Sequence, residues 1–420
     1  MIKKDCIPQG YKKTPLGVIP QNWNLVRLGD LCFNAGEYGL NAPAIDYSTG
    51  MPTYLRITDI DENGKFRKED IKSVDSPIAK DYYLKNGDIV FARTGATVGK
   101  TYLYDSQDGE LVYAGFLIKF TPDIQKLLPY YLKIYTETKM YWYWVSITSQ
   151  RSGQPGINAS EYCSFKMIIP PIEEQKKIAE LLSEWDKAIE LQTKLIEKLE
   201  LRKRSLMQRL LTGRVRLNGF SDQWRKVKLG EFCERIVRKN LSNNKNVMTI
   251  SAQKGFIPQT DFFSKTIASE TLDNYYLVHK DEFCYNKSYS NGYPMGAIKR
   301  LKEANEAVVT TLYICFKLKE NADTNIDFFE QYCEYGGLNK ELVKVANEGG
   351  RAHGLLNVTP NDFFNMKLAI PSLAEQTAIA EVLISADKEI EIAKNKLSSL
   401  RNQKRGLMQQ LLTGKRRVKL

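Results

Sequence analysis

The sequence predicts an α+β protein built twice over. Two similar α/β domains are separated by two long antiparallel helices that form an intramolecular coiled coil with pseudo-twofold symmetry. Three observations carry this. Segments 174–213 and 375–414 run in one register, offset by 201 residues without a gap, and twenty of their forty positions are identical. Both segments place apolar residues at alternating steps of four and three. The stretches between them mix short β-rich runs with turns and share little identity in that register. A repeat of this kind has to be recognised before any fold is assigned.

Each half opens on a Trp-x-x-x-x-Leu-Gly element, Trp23 to Gly29 and Trp224 to Gly230, with Cys32 and Cys233 also at the common offset. In the first domain, 88–93 and 117–120 read as strands and 127–138 as a helix; in the second, 282–285 and 312–316 read as strands and 326–334 as a helix. The runs Asp81-Tyr82-Tyr83-Leu84 and Asn274-Tyr275-Tyr276-Leu277 echo one another, and at the same distance beyond them Asp88 matches Asp281. One scaffold with two different surfaces is the expectation.

The first long helix starts after Pro170-Pro171, and its apolar seam is Ile178, Leu182, Trp185, Ile189, Gln192, Ile196, Leu199, Lys203, Leu206 and Leu210. The second starts after Pro371, with Ile379, Leu383, Ala386, Ile390, Ala393, Leu397, Leu400, Lys404, Leu407 and Leu411 at the same places. A seven-residue repeat of this kind is a coiled-coil seam. Proline suits a helix start, and Gly213 and Gly414 suit a left-handed stop. About 40 residues give roughly 60 Å of helix, and so narrow a stripe needs a partner. The simplest partner is the other copy, packed antiparallel, giving a dumbbell. Lys203 and Lys404 occupy matched seam positions. They either set register at some cost in stability or snorkel to solvent.

Composition narrows the function classes. No run of about 18 apolar residues occurs, so no membrane span is expected. The opening Met1-Ile2-Lys3-Lys4-Asp5-Cys6 lacks the apolar core of a signal peptide, which makes the cytoplasm the expected compartment. Seven scattered cysteines without a Cys-x-x-Cys, and only two histidines, disfavour disulfide frameworks and metal sites. A net charge of +12 favours a polyanion as partner.

Polar loops supply the candidate contacts. Arg93, Thr94 and Lys100 lie in one; Arg151, Ser152 and Gln154 in another; Asn286, Lys287, Ser288 and Tyr289 in a third; Arg351 and His353 in a fourth. Arg and Lys reach guanine edges, Asn and Gln pair with adenine, and Ser or Tyr hold phosphates. The competing reading is a set of solvated turns. Gly95-x-x-x-Gly99-Lys100-Thr101 is one residue short of the phosphate-binding loop spacing and reads as a turn between strands. No cofactor fingerprint, adenine-methylation signature or catalytic constellation is present, so no cofactor of the chain's own is expected.

The doubled arrangement, with Glu-Gln-x-x-Ile opening each helix, Leu-Leu-Thr-Gly closing it and Trp-x-x-x-x-Leu-Gly opening each half, resembles the specificity (S) subunit of type I restriction–modification systems. The resemblance implies that 1–170 and 214–370 are target recognition domains, that 171–213 is the first spacer helix, and that 371–420 is the second with a basic tail. Each domain would read half of a split, asymmetric site in double-stranded DNA. The helices would set the spacing and dock two methyltransferase (M) subunits, which carry S-adenosylmethionine and hold the flipped adenine. Restriction (R) subunits would add ATP-driven translocation and cleavage. The chain itself would be non-catalytic. Alternatives are an S-type subunit of a fused methyltransferase–endonuclease, a nucleotide-using enzyme at residues 95–101, and a coiled-coil scaffold with no DNA role.

Overall fold

A buried strand opens the way to each domain's architecture. The structure, a computed structural model, describes residues 7–262, 272–346 and 356–419. The chain divides into two units, Met1–Gln192 with Lys396–Leu420, and Thr193–Asn395. In the first unit, Ile89–Ala92 is fully buried. Ile89 and Phe91 face a layer holding Leu132, Tyr135, Tyr162 and Ile178. Val90 and Ala92 face a layer holding Leu55, Leu111 and Tyr113. A continuous apolar run is what a strand covered on both faces requires. Its sheet runs Glu37–Tyr38, Leu117–Phe120, Ile89–Ala92, Thr101–Leu103, all antiparallel. A second sheet runs Leu111–Tyr113, Thr53–Leu55, Lys72–Ser73, Ile45–Asp46.

The second unit repeats the plan. Its sheet runs Cys233–Ile236, Ile314–Leu318, Phe283–Asn286, Ala297–Arg300. Phe283 and Tyr285 face the helical layer, while Cys284 faces the β layer formed with Met248, Ile250 and Val278. The foreseen helix Ile326–Glu334 is present, and Pro129–Tyr135 lies within the foreseen 127–138. The first unit also forms a helix at Lys139–Thr148 that the apolar pattern did not announce.

One foreseen match is corrected. The counterpart of Asp88 is Glu282, not Asp281. Asp88 and Glu282 are both buried. Each accepts the backbone N–H three residues before it, from Lys85 at 2.8 Å and His279 at 2.7 Å. Asp281 instead takes the positive φ of 70° that Gly87 takes at 92°.

The long helices span Ile172–Leu210 and Leu373–Leu412. Every foreseen seam residue is buried or half-buried. In the first unit, Ile178 and Leu182 share a core with Met408, Leu411 and Leu412. In the second, Ile379 and Leu383 share one with Met207, Leu210 and Leu211. Start packs against end in both, so the helices pair antiparallel. The seam lysines do not snorkel. Lys404 Nζ reaches Asp186 at 2.7 Å and Glu137 at 3.1 Å, and Lys203 Nζ reaches Asp387 at 2.6 Å. Asp186 and Asp387 are themselves 201 residues apart, so the lysine–aspartate pair is repeated.

The repeated motifs at the helix ends are explained by the joints they form. Strand Asn24–Arg27 pairs with Lys166–Ile169, and Arg225–Lys228 with Lys367–Ile370, each second strand leading into a long helix. A Cβ on Gly29 would lie 3.0 Å from Cys163 Cβ, and one on Gly230 3.1 Å from the Phe364 carbonyl, so the Leu-Gly turn needs glycine for close approach. Gln175 accepts from Leu128 N–H and donates to Lys126 O; Gln376 accepts from Asn325 N–H and donates to Asp323 O. Gly213 and Gly414 take φ of 67° and 70°, and the chain turns back there. The reversal carries Arg216 onto Glu375, at 2.5 and 2.6 Å, and Arg417 onto Glu174, at 2.5 and 2.7 Å. Both glutamates are buried. Each arginine also lies over its tryptophan, Arg417 over Trp23 and Arg216 over Trp224.

Two outcomes are expected. Replacing both Glu137 and Asp186 with alanine leaves Lys404 buried without a carboxylate. Urea melts should show a loss of roughly 3 kcal/mol, against about 1 kcal/mol for either single change. Burial pulls the Lys404 pKa down, but Glu137 and Asp186 together hold it above its ordinary value. Its stabilisation is therefore fully present at neutral pH and fades only as pH rises past the ordinary lysine range. Arg417→Ala leaves Glu174 with the Trp23 indole N–H and should lower the thermal midpoint more than Arg405→Ala, an exposed position on the second long helix.

Candidate nucleic-acid interface

The two sheets can be laid on one another by their hydrogen-bond register. Ile89 pairs with Phe120 in the first, and Phe283 with Phe316 in the second. This makes Arg93 the counterpart of Lys287, each directly following the central strand. Their carbonyls confirm the match: Arg93 O accepts from Ile157 N–H at 2.9 Å, and Lys287 O from Leu356 N–H at 3.1 Å. By the same register Phe116 matches Leu312 and Tyr38 matches Val237, and all four are exposed.

Neither cation makes an ion pair among the described residues. The Arg93 guanidinium lies 4.9 Å from the Tyr38 ring centroid, and Tyr38 Oη accepts from Ala159 N–H. Lys287 is half-buried, and burial alone depresses its pKa. The segments that carry them, 93–104 and 283–302, contain no Asp or Glu, and neither does 138–160. A desolvated cation with no carboxylate, beside exposed apolar surface, is suited to meet an anion that also offers stacking or methyl faces.

The structure brings the loops of the first unit together. Gly95 N–H donates to Pro155 O at 3.0 Å, and Thr94 bridges Gly156. A Cβ on Gly95 would lie 2.9 Å from Gln154 Nε2. Ser152 and Gln154 are exposed beside this junction. Lys100 and Arg151 are already engaged. Lys100 Nζ meets Glu62 at 2.7 Å. Arg151 holds both oxygens of Glu161, at 2.5 and 2.7 Å, and Glu161 caps the helix Ala159–Ser164. In the second unit, Asn286 is spent on the turn, donating to Ile250 O and accepting from Ser288 N–H. Tyr289 is exposed. Arg351 and His353 lie outside the described residues. Residues 95–101 run from a short turn into strand Thr101–Leu103, with no helix N-terminus to hold phosphate. Sequence reasoning missed Tyr38, Phe116, Val237 and Leu312, because their exposure depends on strand register. It also missed Arg216 and Arg417, although both sit at the 201-residue offset.

The family model for the type I restriction modification DNA specificity domain matches twice, at residues 20–201 and 221–402. The chain belongs to this family. Its two matches sit at the same offset as the repeat, so this specificity subunit carries two recognition domains. It is 30% identical to the putative type I restriction enzyme MjaX specificity subunit of Methanocaldococcus jannaschii, over 98% of this chain and 97% of that one. It is 25% identical to the MjaVIII specificity subunit of the same organism, over 96% and 94%. In fold it is similar to the type I S subunit from M. genitalium, at 17% identity, 93% and 96% coverage and TM-score 0.54. It is equally similar to a chain from a structure of type I R-M complex assembly and conformational transition, at 15% identity, 94% and 99% coverage and TM-score 0.54. The family is generally non-catalytic and carries no cofactor itself. Among the described residues no group of three His, Cys, Asp or Glu could hold a metal, and no helix is long and apolar enough to cross a membrane.

Proposed function

We propose that each recognition domain reads one half of a bipartite, asymmetric site in double-stranded DNA, and that the paired helices set the spacing between the halves. One observation carries the reading. Each domain places a cation with no carboxylate partner, Arg93 or Lys287, at the same point of the sheet, flanked by exposed apolar residues and acid-free segments. Around that common frame the loops differ, as readers of two different half-sites require.

The partners follow from the repeat. Two copies of one subunit need two equivalent surfaces, and the helices offer them. Leu191 and Ile392 stand at the common offset and are 67% and 68% exposed. Grooves at the two helix starts share Glu180 with Glu381 and Leu181 with Val382. These faces dock two methyltransferase subunits, which supply S-adenosylmethionine, and restriction subunits join them with ATP. The assembly works in the cytoplasm.

The decisive experiment is methyl-adenine mapping in cells that express this chain with its methyltransferase subunit. Exchange of residues 33–165 for the matching part of another specificity subunit should change one half of the mapped site. A change in both halves would overturn the modular reading. Arg93→Ala and Lys287→Ala should each weaken duplex binding by about 1–3 kcal/mol, with a shallower salt dependence. Leu191→Lys and Ile392→Lys should each remove one methyltransferase subunit from the assembly, and the pair should remove both, as read by native mass spectrometry.

A further inference from the structure

The first domain carries an exposed face that the interface above does not include. Helix Lys139–Thr148 buries Tyr141 and Val145 and turns Trp142, Tyr143 and Ile147 outward, at 41%, 70% and 53% exposure. So much apolar surface on one short helix marks a binding site. The helix is laced to the candidate interface. Tyr141 Oη donates to Gly99 O at 2.7 Å. At the other end, Ser149 O accepts from Gly156 N–H at 3.0 Å, and Gly156 is the residue that bridges Thr94. The segment 138–160 holds Lys139 and Arg151 and no acid.

The repeat identifies the kind of partner. A subunit that binds both halves alike needs a surface that recurs at offset 201, as Leu191 and Ile392 do. Among the described residues this face does not recur. Its counterpart is the shorter helix Asn339–Val345, where Val343 stands at the place of Trp142 among Lys340, Glu341 and Lys344. A surface particular to one half fits the partner that differs between halves, which is the DNA sequence.

We propose that Trp142, Tyr143 and Ile147 enter the major groove and read thymine methyl groups in the half-site of the first domain. The inference rests on the DNA-reading assignment above. A ten-residue helix is about 15 Å long, and the major groove, roughly 12 Å wide, admits a helix and displays the thymine 5-methyl as its apolar feature.

The test uses the chain assembled with its methyltransferase subunit and duplexes carrying the mapped site, with each thymine of the first half replaced in turn by deoxyuridine. This removes the methyl and nothing else. At least one replacement should weaken binding about fourfold, the equivalent of about 0.8 kcal/mol for a buried methyl-sized group. The double variant Tyr143→Ala, Ile147→Ser should bind the thymine duplex more weakly and no longer distinguish it from the deoxyuridine one. Indifference of the unaltered assembly to every replacement would overturn the proposal. So would a first half-site made of G·C pairs alone, or a variant that loses the methyltransferase subunit while keeping the thymine preference. Failure of the unaltered assembly to bind or methylate any site would instead sink the DNA-reading assignment itself.

Discussion

A carboxylate with no exposed surface has to meet a cation, and in each unit that cation arrives from the far end of the other long helix. Glu174 takes Arg417 and Glu375 takes Arg216. These two crossings fix the antiparallel sense and the register of the helix pair together. A shift of either helix would strand a buried charge, at a penalty of several kcal/mol. The lysine–aspartate pairs on the seam impose the same condition a few turns away. A purely apolar seam would bind as tightly but would tolerate sliding. Polar groups on a seam give up some stability to select one alignment.

The same joints fasten the recognition domains to the helices. Gln175 and Gln376 each use their side-chain amide to hold the loop before a domain helix. Tyr130 donates to Asp186, and Gln331 to Asp387, so a domain residue touches each register-setting carboxylate. The copies are not equal. Trp23 Nε1–H donates to Glu174 at 2.9 Å, whereas the Trp224 indole N–H has no acceptor among the described residues. The first unit's tryptophan thus adds a hydrogen bond that its counterpart lacks.

Function rests on separating what is repeated from what is not. Helix ends, glycine stops, crossing arginines and the strand pairs that lead into the helices recur at one offset, because they build the joints with the other copy. The central sheets keep their topology but drift to offsets of 194 to 199, and their loops differ in sequence. The place of the cation after the central strand is preserved, as are the buried acid before that strand and the exposed apolar residues beside the cation.

By itself the sequence determined the duplication, the long helices, their seam and their stops, because these depend on periodicity and on residues whose backbone preferences are local. It also determined the central strands, since an apolar run flanked by turns is a local signal. The tertiary structure alone decided the rest. It matched Asp88 with Glu282, paired Arg93 with Lys287, engaged Lys100 and Arg151 with acids, and put Lys203 and Lys404 on aspartates instead of in solvent. Each of these depends on groups brought together from distant parts of the chain, where the packing of the fold selects the partner and no spacing in the sequence records it.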